Sequence, residues 1–292
     1  MPIDAKTQVV TLLGHPVEHS LSPRIHNAAF RAQGVNAVYV ATPVPPDEVE
    51  PAVDGLRALG CLGANVTVPH KEPVQPFLDD VTERAAAVGA VNTIVREERA
   101  AGPDRLRGDN TDVEGFLTPL DDRVGDPLDG APMVVFGAGG AARAVVYGLL
   151  AQYRPERLTI VARRPKQAEL LAKDFAEQDA TDALTVSTFE EAALAVQRSR
   201  LLVNATPLGM APNHRQQTPW ANAEDFGPNH AVYDLVYTPE ETRLLKDAAA
   251  QGATTIGGLD MLVEQAATAY QQWTGREMPR DAVYEALRSE KH

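Results

Sequence analysis

The run Gly137-Ala138-Gly139-Gly140-Ala141-Ala142 carries the most specific local chemistry in the chain. It follows the apolar stretch Met133–Phe136, which reads as a strand, and opens the alanine-rich segment Ala141–Gln152, which reads as a helix. A glycine turn in that setting is suited to a pyrophosphate. Gly137 permits the tight turn. Gly139 and Gly140 carry no Cβ, so an anion can approach the backbone. The helix that follows presents free N–H groups and the positive end of its dipole. Ala142 stands where a small residue packs helix on strand. Strand, glycine turn and helix in that order are the context a dinucleotide-binding loop requires.

The next strand, Leu158–Val161, indicates which dinucleotide. Folds that take NAD place an acid near its end to bond the ribose 2′-hydroxyl. Here the turn reads Ala162-Arg163-Arg164-Pro165-Lys166, with no acid. A guanidinium pairs bidentately with phosphate and stacks on an adenine face, so this turn suits the 2′-phosphate of NADP. The chain as a whole carries a net charge of −13. A basic cluster beside the glycine loop therefore runs against the general composition.

Other chemistry-bearing groups lie upstream. Ser20 and Ser22 flank the start of a helix opened by Pro23, with Ser22 at the N-cap, and two hydroxyls at a helix N-terminus form a carboxylate cradle. Thr111-Asp112-Val113-Glu114 fits a capping box. Lys71 follows a strand that ends in Thr67-Val68-Pro69 and stands at the start of a predicted helix. The positive helix end would lower its pKa and a nearby carboxylate would raise it. His15, His19, His26 and His70 match no zinc spacing, and no cysteine cluster accompanies them, so no metal is expected.

The elements that must position these groups alternate. Short β-branched runs and helix-like segments follow one another along all 292 residues, as in βαβ units with mostly parallel sheets. Strands are predicted at Val9–Leu13, Ala37–Ala41, Ala64–Val68, Val91–Arg96 and Leu106–Gly108. Helices are predicted at Pro23–Gln33 and Asp47–Leu59, and another begins near Thr111. A stretch dense in Asp, Gly and Pro between Pro119 and Pro132 predicts a linker. Beyond it come six strands, at 133–136, 158–161, 184–187, 201–204, 231–235 and 254–256, with helices including Lys166–Ala176, which suits a Rossmann-type sheet. Leu259–Arg288 reads as helical, broken at Gly275 and Pro279. The predicted division is a substrate domain over residues 1–118, a nucleotide domain over 119–258, and C-terminal helices over 259–292 that pack back on the substrate domain.

Composition bounds the partners. The chain is 44% hydrophobic, 23% charged and 5% aromatic, as in ordinary globular proteins. The acidic balance argues against nucleic acid and against an anionic membrane as partners. It leaves room for a small anionic substrate held by local groups. The single cysteine, Cys61, excludes an intrachain disulfide and lies in an apolar run, which predicts a buried thiol in a reducing compartment. The N-terminus lacks the apolar core of a signal peptide, and no run reaches the ~18 apolar residues of a membrane span. A cytoplasmic monomer or homodimer is the expectation.

Several segments resemble the shikimate dehydrogenase family. They are Gly14-His15-Pro16-Val17-Glu18-His19-Ser20-Leu21-Ser22-Pro23, Asn65-Val66-Thr67-Val68-Pro69-His70-Lys71, Gly89-Ala90-Val91-Asn92-Thr93 and Gly108-Asp109-Asn110-Thr111-Asp112. Asn204-Ala205-Thr206-Pro207-Leu208-Gly209-Met210, Asp234-Leu235-Val236-Tyr237-Thr238-Pro239 and Gly258-Leu259-Asp260-Met261-Leu262-Val263-Glu264-Gln265 continue the likeness over nearly the whole chain. The resemblance implies reversible, NADPH-dependent reduction of 3-dehydroshikimate to shikimate. It implies Lys71 and Asp112 as the catalytic pair, with Asp112 orienting the lysine. Ser20 and Ser22 would hold the substrate carboxylate, Asn65, Thr67, Asn92 and Gln265 the ring hydroxyls, and Tyr237 would face substrate near the nicotinamide. Gly137, Ala138, Gly139, Gly140 and Ala141 would hold the pyrophosphate, Arg163 the 2′-phosphate with Arg164 beside it, and Thr206, Met210 and Gly258 would line the cofactor. Many NADP-using members read Asn-Arg-Thr after the second nucleotide-domain strand, with a further Arg. Here Ala162 and Gln167 take the outer positions, and Arg164 and Lys166 are placed to compensate. An NAD-dependent quinate/shikimate dehydrogenase is the nearest alternative, opposed by the basic turn. A non-catalytic NADP-binding regulator is the other, opposed by the presence of both Lys71 and Asp112.

Overall fold

The computed structural model describes residues 3–124, 128–179 and 182–289. Two compact units divide the chain after Thr111 and again after Glu264, so that the first unit gathers both ends of the chain.

The first unit opens with β1 (Gln8–Gly14), α1 (Ser22–Gln33), β2 (Ala37–Pro43), α2 (Val49–Ala58) and β3 (Gly63–Val66). It continues with β4 (Asp80–Val81), α3 (Glu83–Val88), β5 (Thr93–Glu97) and β6 (Arg105–Asp109). Six strands form one mixed sheet in the order β2-β1-β3-β5-β6-β4. β1 runs parallel to β2 and β3, whereas β5 is antiparallel to both β3 and β6. Gly34, at φ +63°, ends α1 in the left-handed conformation that a Cβ disfavours, and its N–H returns to the Arg31 and Phe30 carbonyls. Val53, Ala64, Ile94 and Leu106 meet in the core of this unit, with the Cys61 thiol buried among them.

The second unit begins with α4 (Asp112–Arg123). It proceeds through β7 (Met133–Phe136), α5 (Gly140–Tyr153), β8 (Leu158–Val161), α6 (Pro165–Asp174), β9 (Leu184–Ser187) and α7 (Ala193–Arg198). β10 (Leu201–Asn204), β11 (Ala231–Asp234), α8 (Arg243–Ala250) and β12 (Thr254–Gly257) complete it. The sheet is all parallel, in the order β12-β11-β10-β7-β8-β9. Every residue of β7, β8, β10 and β11 is buried, as expected for strands covered on both faces. The two-residue alternation assigns Met133, Val135, Leu201 and Val203 to one core. Val134, Phe136 and Leu202 go to the core on the other face. The order of strand addition reverses between β7 and β10, and ligands of open parallel sheets bind at the strand carboxyl ends by such a switch point.

Two further helices follow, α9 (Gly258–Thr274) and α10 (Arg280–Arg288). From Gln265 onward they belong to the first unit. The Trp273 indole N–H donates to the Ile94 carbonyl at 3.0 Å. The Tyr270 hydroxyl donates to Gln33 Oε1 at 2.9 Å, and Arg24 donates to the Ala286 carbonyl at 2.8 Å. The C-terminal helices thus pack on the N-terminal helix and sheet, as the sequence predicts.

The structure departs from expectation in several places. Where the Asp-, Gly- and Pro-rich stretch predicts a linker, α4 continues through Pro119 to Arg123, and Pro119 and Leu120 are buried. Residues 125–127 of that stretch lie outside the described residues. Lys71 stands in a turn that leads to a short 3-10 segment, Gln75–Phe77, and not at the start of an α-helix. β4, α3 and α7 are too short to show a period and are not predicted, and α8 is missed although Leu244, Leu245 and Ala248 give it a buried helical face. Among the described residues no helix is long and apolar enough to cross a membrane.

Gly63 marks how closely α9 approaches the sheet. A Cβ there would lie 2.3 Å from Trp273 Nε1 and 2.4 Å from the Ile94 carbonyl oxygen. Gly63→Ala is expected to destabilise the first unit by about 2 kcal/mol, within the usual range for overpacking. The check is urea unfolding followed by tryptophan fluorescence. An unchanged midpoint would show that α9 can move aside without cost.

Candidate functional site

In the first unit the polar residues of the sequence motifs meet on one edge of the sheet, at the carboxyl ends of β1, β3 and β6 and the amino end of the antiparallel β5. Ser20 Oγ accepts from the Ser22 N–H at 3.2 Å. Ser20, and not Ser22, therefore satisfies an open N–H at the start of α1. Ser22 is the first helical residue and is buried, and Leu21 takes the N-cap position. Tyr39 stands between Ser22 and Asn65: its hydroxyl bonds with Ser22 and donates to Asn65 Oδ1 at 2.8 Å. Burial pushes the Tyr39 phenol well above its ordinary pKa, so it stays a neutral donor. Asn65 Nδ2 then donates to the Asn92 carbonyl and to Thr93 Oγ1, both at 3.2 Å. Asn92 Oδ1 accepts from the Thr111 N–H at 2.7 Å, and Asn92 Nδ2 reaches Thr111 Oγ1 at 3.0 Å and Gln265 Oε1 at 3.5 Å. Ser20, Ser22, Asn65, Asn92 and Gln265 therefore belong to one continuous polar chain. The Thr67 methyl packs where a Cβ on Gly14 would otherwise sit.

Sequence reasoning missed Tyr39, His26 and Thr93 in this chain. His26 is fully buried, stacked on Tyr39 with ring centroids 4.5 Å apart, and burial pulls its pKa down to about 3. It is a neutral wall behind Asn65. The signal for Tyr39 was weak, since a tyrosine in a strand reads as core. Lys71 is partly exposed. Its carbonyl accepts from the Val91 N–H at 2.7 Å, and the preceding His70 ring bonds the Val44 carbonyl at 2.6 Å. Two separated segments thus hold the lysine's backbone.

Asp109 underlies this floor. It is 4% exposed. It accepts from Thr82 Oγ1 at 2.6 Å, from Arg84 at 2.6 Å, from Gln272 Nε2 at 2.6 Å and from the Asn110 N–H at 2.7 Å. Burial raises its pKa, but Arg84, Thr82 and Gln272 outweigh that effect and hold the carboxyl below its ordinary value.

In the second unit, Gly137 adopts φ +113°, and a Cβ there would come within 3.0 Å of the Ala205 carbonyl. Nothing stands within 4 Å of the position a Cβ on Gly139 would take. The space over the loop backbone is open, and Ala138, Gly140 and Ala141 are part-exposed at the start of α5. Arg163 and Arg164 are exposed at the end of β8, with no acid in their turn. The open backbone cradle and the basic turn fit the pyrophosphate and the 2′-phosphate of NADP. Thr206 and Met210 stand on the loop that leaves β10 and Tyr237 on the loop that leaves β11, while Gly258 opens α9 directly after β12. Asp112, buried at the first turn of α4, opens this unit. Two buried residues missing from the expected set tie these loops together. Asp234 accepts from Asn204 Nδ2 at 2.8 Å, from the Val236 N–H at 3.0 Å and from Thr242 Oγ1 at 2.6 Å. Burial raises its pKa to about 6 against those three donors, so it is mostly ionised at neutral pH.

Comparison with known proteins bears on both units. Residues 12–94 match the family model of the shikimate dehydrogenase substrate binding domain. Residues 258–288 match that of the shikimate 5′-dehydrogenase C-terminal domain. The chain is 73% identical over 290 residues to the shikimate dehydrogenase (NADP(+)) of Salinibacter ruber, covering 99% of this chain and 100% of that protein. A crystal structure of a shikimate dehydrogenase in complex with NADP+ superposes with a TM-score of 0.89 at 39% identity, covering 98% and 96% of the two chains. The Thermus thermophilus shikimate 5-dehydrogenase in complex with NADP(H) and shikimate gives a TM-score of 0.81 at 36% identity, over 97% and 99%. The six-stranded parallel sheet, the glycine cradle and these likenesses define a nucleotide-dependent dehydrogenase with a separate substrate unit. The chain belongs to the shikimate dehydrogenase family.

Asp109 yields a pH prediction. Its pKa is depressed in the folded state, so the stabilisation it provides is fully present above the ordinary Asp value of 3.8. It is lost as pH falls through the lower folded value. Asp109→Asn should cost on the order of 2 kcal/mol at pH 7, the scale of hydrogen bonds to a charged group. Denaturant melts of both proteins from pH 7 to pH 3 should show the difference narrowing only below about pH 4. A difference that stays constant down to pH 3 would contradict the assignment.

Proposed function

We propose that the chain reduces the C3 carbonyl of 3-dehydroshikimate to the hydroxyl of shikimate, reversibly, with NADPH as reductant. The observation that carries this reading is full-length identity of 73% with an enzyme of that name. The polar chain of the first unit supports it, because a polyhydroxylated carboxylate needs many fixed donors and acceptors. In this reading Ser20 and Ser22 take the substrate carboxylate, while Asn65, Thr67, Asn92 and Gln265 take ring hydroxyls. Tyr39 and Thr93 fix the Asn65 amide, so that it meets substrate in one orientation.

Bound NADPH supplies a hydride to the carbonyl carbon. The protein's task is to manage the charge that develops on the carbonyl oxygen. The Lys71 ammonium stabilises that oxygen and gives it a proton. Asp112 is the carboxylate of the pair. In the reverse direction Lys71 accepts the proton back from the hydroxyl. The glycine loop Gly137–Ala141 takes the pyrophosphate and Arg163 with Arg164 the 2′-phosphate, while Thr206, Met210, Tyr237 and Gly258 line the nicotinamide end. The unit of residues 1–111 with 265–292 acts as the substrate domain and that of 112–264 as the nucleotide domain, where the sequence alone drew the bounds at 118 and 258, in a cytoplasmic monomer or homodimer.

Oxidation of shikimate with NADP+ and with NAD+, followed by the absorbance of reduced nicotinamide, tests the reading, with quinate run in parallel. Rapid NADP+ reduction on shikimate is expected. Absence of turnover with intact dinucleotide binding would overturn the substrate assignment. Lys71→Ala should lower kcat by ~10²–10⁴, the general acid–base range, with a smaller change in KM. An unaltered kcat would remove Lys71 from the chemistry. Arg163→Ala should raise KM for NADP+ far more than for NAD+, and equal changes would refute the 2′-phosphate role.

A further inference from the structure

Asp234 and Asn204 are both fully buried, and neither has a role in the reading above. Asn204 ends β10 and Asp234 ends β11, at the roots of the two loops that carry Thr206, Met210 and Tyr237. We infer that Asp234 is a positioning residue for the nicotinamide end of the cofactor. Its carboxylate sets the orientation of the Asn204 amide, which aims Thr206, and it holds the loop of Tyr237 in register with that of Thr206. The inference rests on the proposed reading that these loops line the nicotinamide.

An ionised carboxylate only accepts, whereas a primary amide has a donor end and an acceptor end. With Asp234 Oδ1 2.8 Å away, Asn204 must present Nδ2 to it. The second Nδ2 hydrogen goes to the Leu208 carbonyl at 3.0 Å. Asn204 Oδ1 is therefore committed to the other side, where it accepts from the Thr206 N–H at 3.0 Å and from Thr206 Oγ1 at 2.7 Å. Thr206 Oγ1, having donated, accepts from the Leu208 N–H at 3.2 Å. The side-chain bonds of this loop run in one direction, from Thr206 through Asn204 to the Asp234 carboxylate and the Leu208 carbonyl. A flipped amide would set two donors against each other at Thr206.

The same carboxylate governs the neighbouring loop. It accepts the Val236 N–H, one residue before Tyr237, and the Thr242 hydroxyl that also caps α8 by accepting from Leu245. The Ala211 N–H donates to the Thr238 carbonyl at 2.8 Å and closes the ring between the two loops. Gly209, at φ +100°, packs against Thr242, where a Cβ would lie 3.3 Å from the threonine methyl. None of these hydrogen bonds involves Arg163 or Arg164, so the network serves one end of the dinucleotide only.

The test uses the full-length protein and its Asp234→Asn variant. Steady-state kinetics with shikimate and NADP+ are paired with calorimetric binding of adenosine 2′,5′-bisphosphate, which carries the 2′-phosphate end and no nicotinamide. Small displacements of reacting groups cost up to ~10²-fold in rate. The variant is therefore expected to lose at least about tenfold in kcat, while its affinity for the bisphosphate and its KM for shikimate stay within about twofold. An unchanged kcat overturns the inference. So does a loss of bisphosphate affinity by the same factor as kcat, since that marks general damage to the unit. A wild type inactive on shikimate with NADP+ overturns the functional reading and this inference with it. Should Asp234→Asn fail to fold, Thr242→Val removes one donor to the carboxylate while keeping side-chain shape, and Thr242→Ser restores the hydroxyl. The valine variant should lose kcat and the serine variant keep it, and equal kcat values in the two would overturn the inference.

Discussion

Asp109 is a carboxylate removed from water at the point where separated parts of the first unit meet. A charge of that kind costs several kcal/mol to bury unless donors replace its hydration. The replacement comes from Thr82 and Arg84, around the start of α3, from the Asn110 backbone and from Gln272 on α9. The demand for donors therefore brings the C-terminal helix to the sheet and holds the end of β6 in place. Asn110 follows directly and bonds the Ala90 carbonyl, and Thr111 then bonds Asn92. The polar chain that runs from Ser22 to Gln265 rests on this one satisfied charge. Trp273 and Gly63 complete the docking, the indole and its Ile94 carbonyl partner lying too close for any side chain on residue 63.

The second unit meets the same demand with different chemistry. Its four central strands are buried on both faces, so their polar ends have only their neighbours to bond with. Asp234 collects three donors there and gives a direction to the bonds of the adjoining loop. Burial still lifts its pKa to about 6 against the three donors. The glycine loop differs in kind. It is left open, with nothing near Gly139, a geometry in which backbone N–H groups are accessible to an anion.

Much of this was legible before the structure. The strands Met133–Phe136, Leu158–Val161, Leu184–Ser187 and Leu201–Asn204 stand where their apolar runs predict them. They are short, continuous and bounded by turn residues, so nothing competes with the strand assignment. Pro119 misled because proline and aspartate favour turns by local propensity, while burial of Phe116 and Leu120 in the core of the second unit, with Pro119 buried as well, holds the helix through them. Lys71 misled in the opposite way: a polar stretch after a strand looks like a helix start, yet proline and tertiary hydrogen bonds leave it as a turn.

The sequence by itself determined the class of fold, the glycine cradle, the basic turn and the family, because each depends on residue types at short spacing or on long runs of identity. It determined nothing about Tyr39, His26, Asp109, Asn204 and Asp234 as parts of a site. A tyrosine in a strand and an aspartate at a strand end are commonplace residues until their neighbours are known. Tyr39 gains its meaning from Ser22 and Asn65, Asp109 from Gln272, and Asp234 from Asn204 and Thr242. Hydrogen-bond satisfaction in a buried place is a property of three-dimensional neighbours, and only the tertiary structure could decide it.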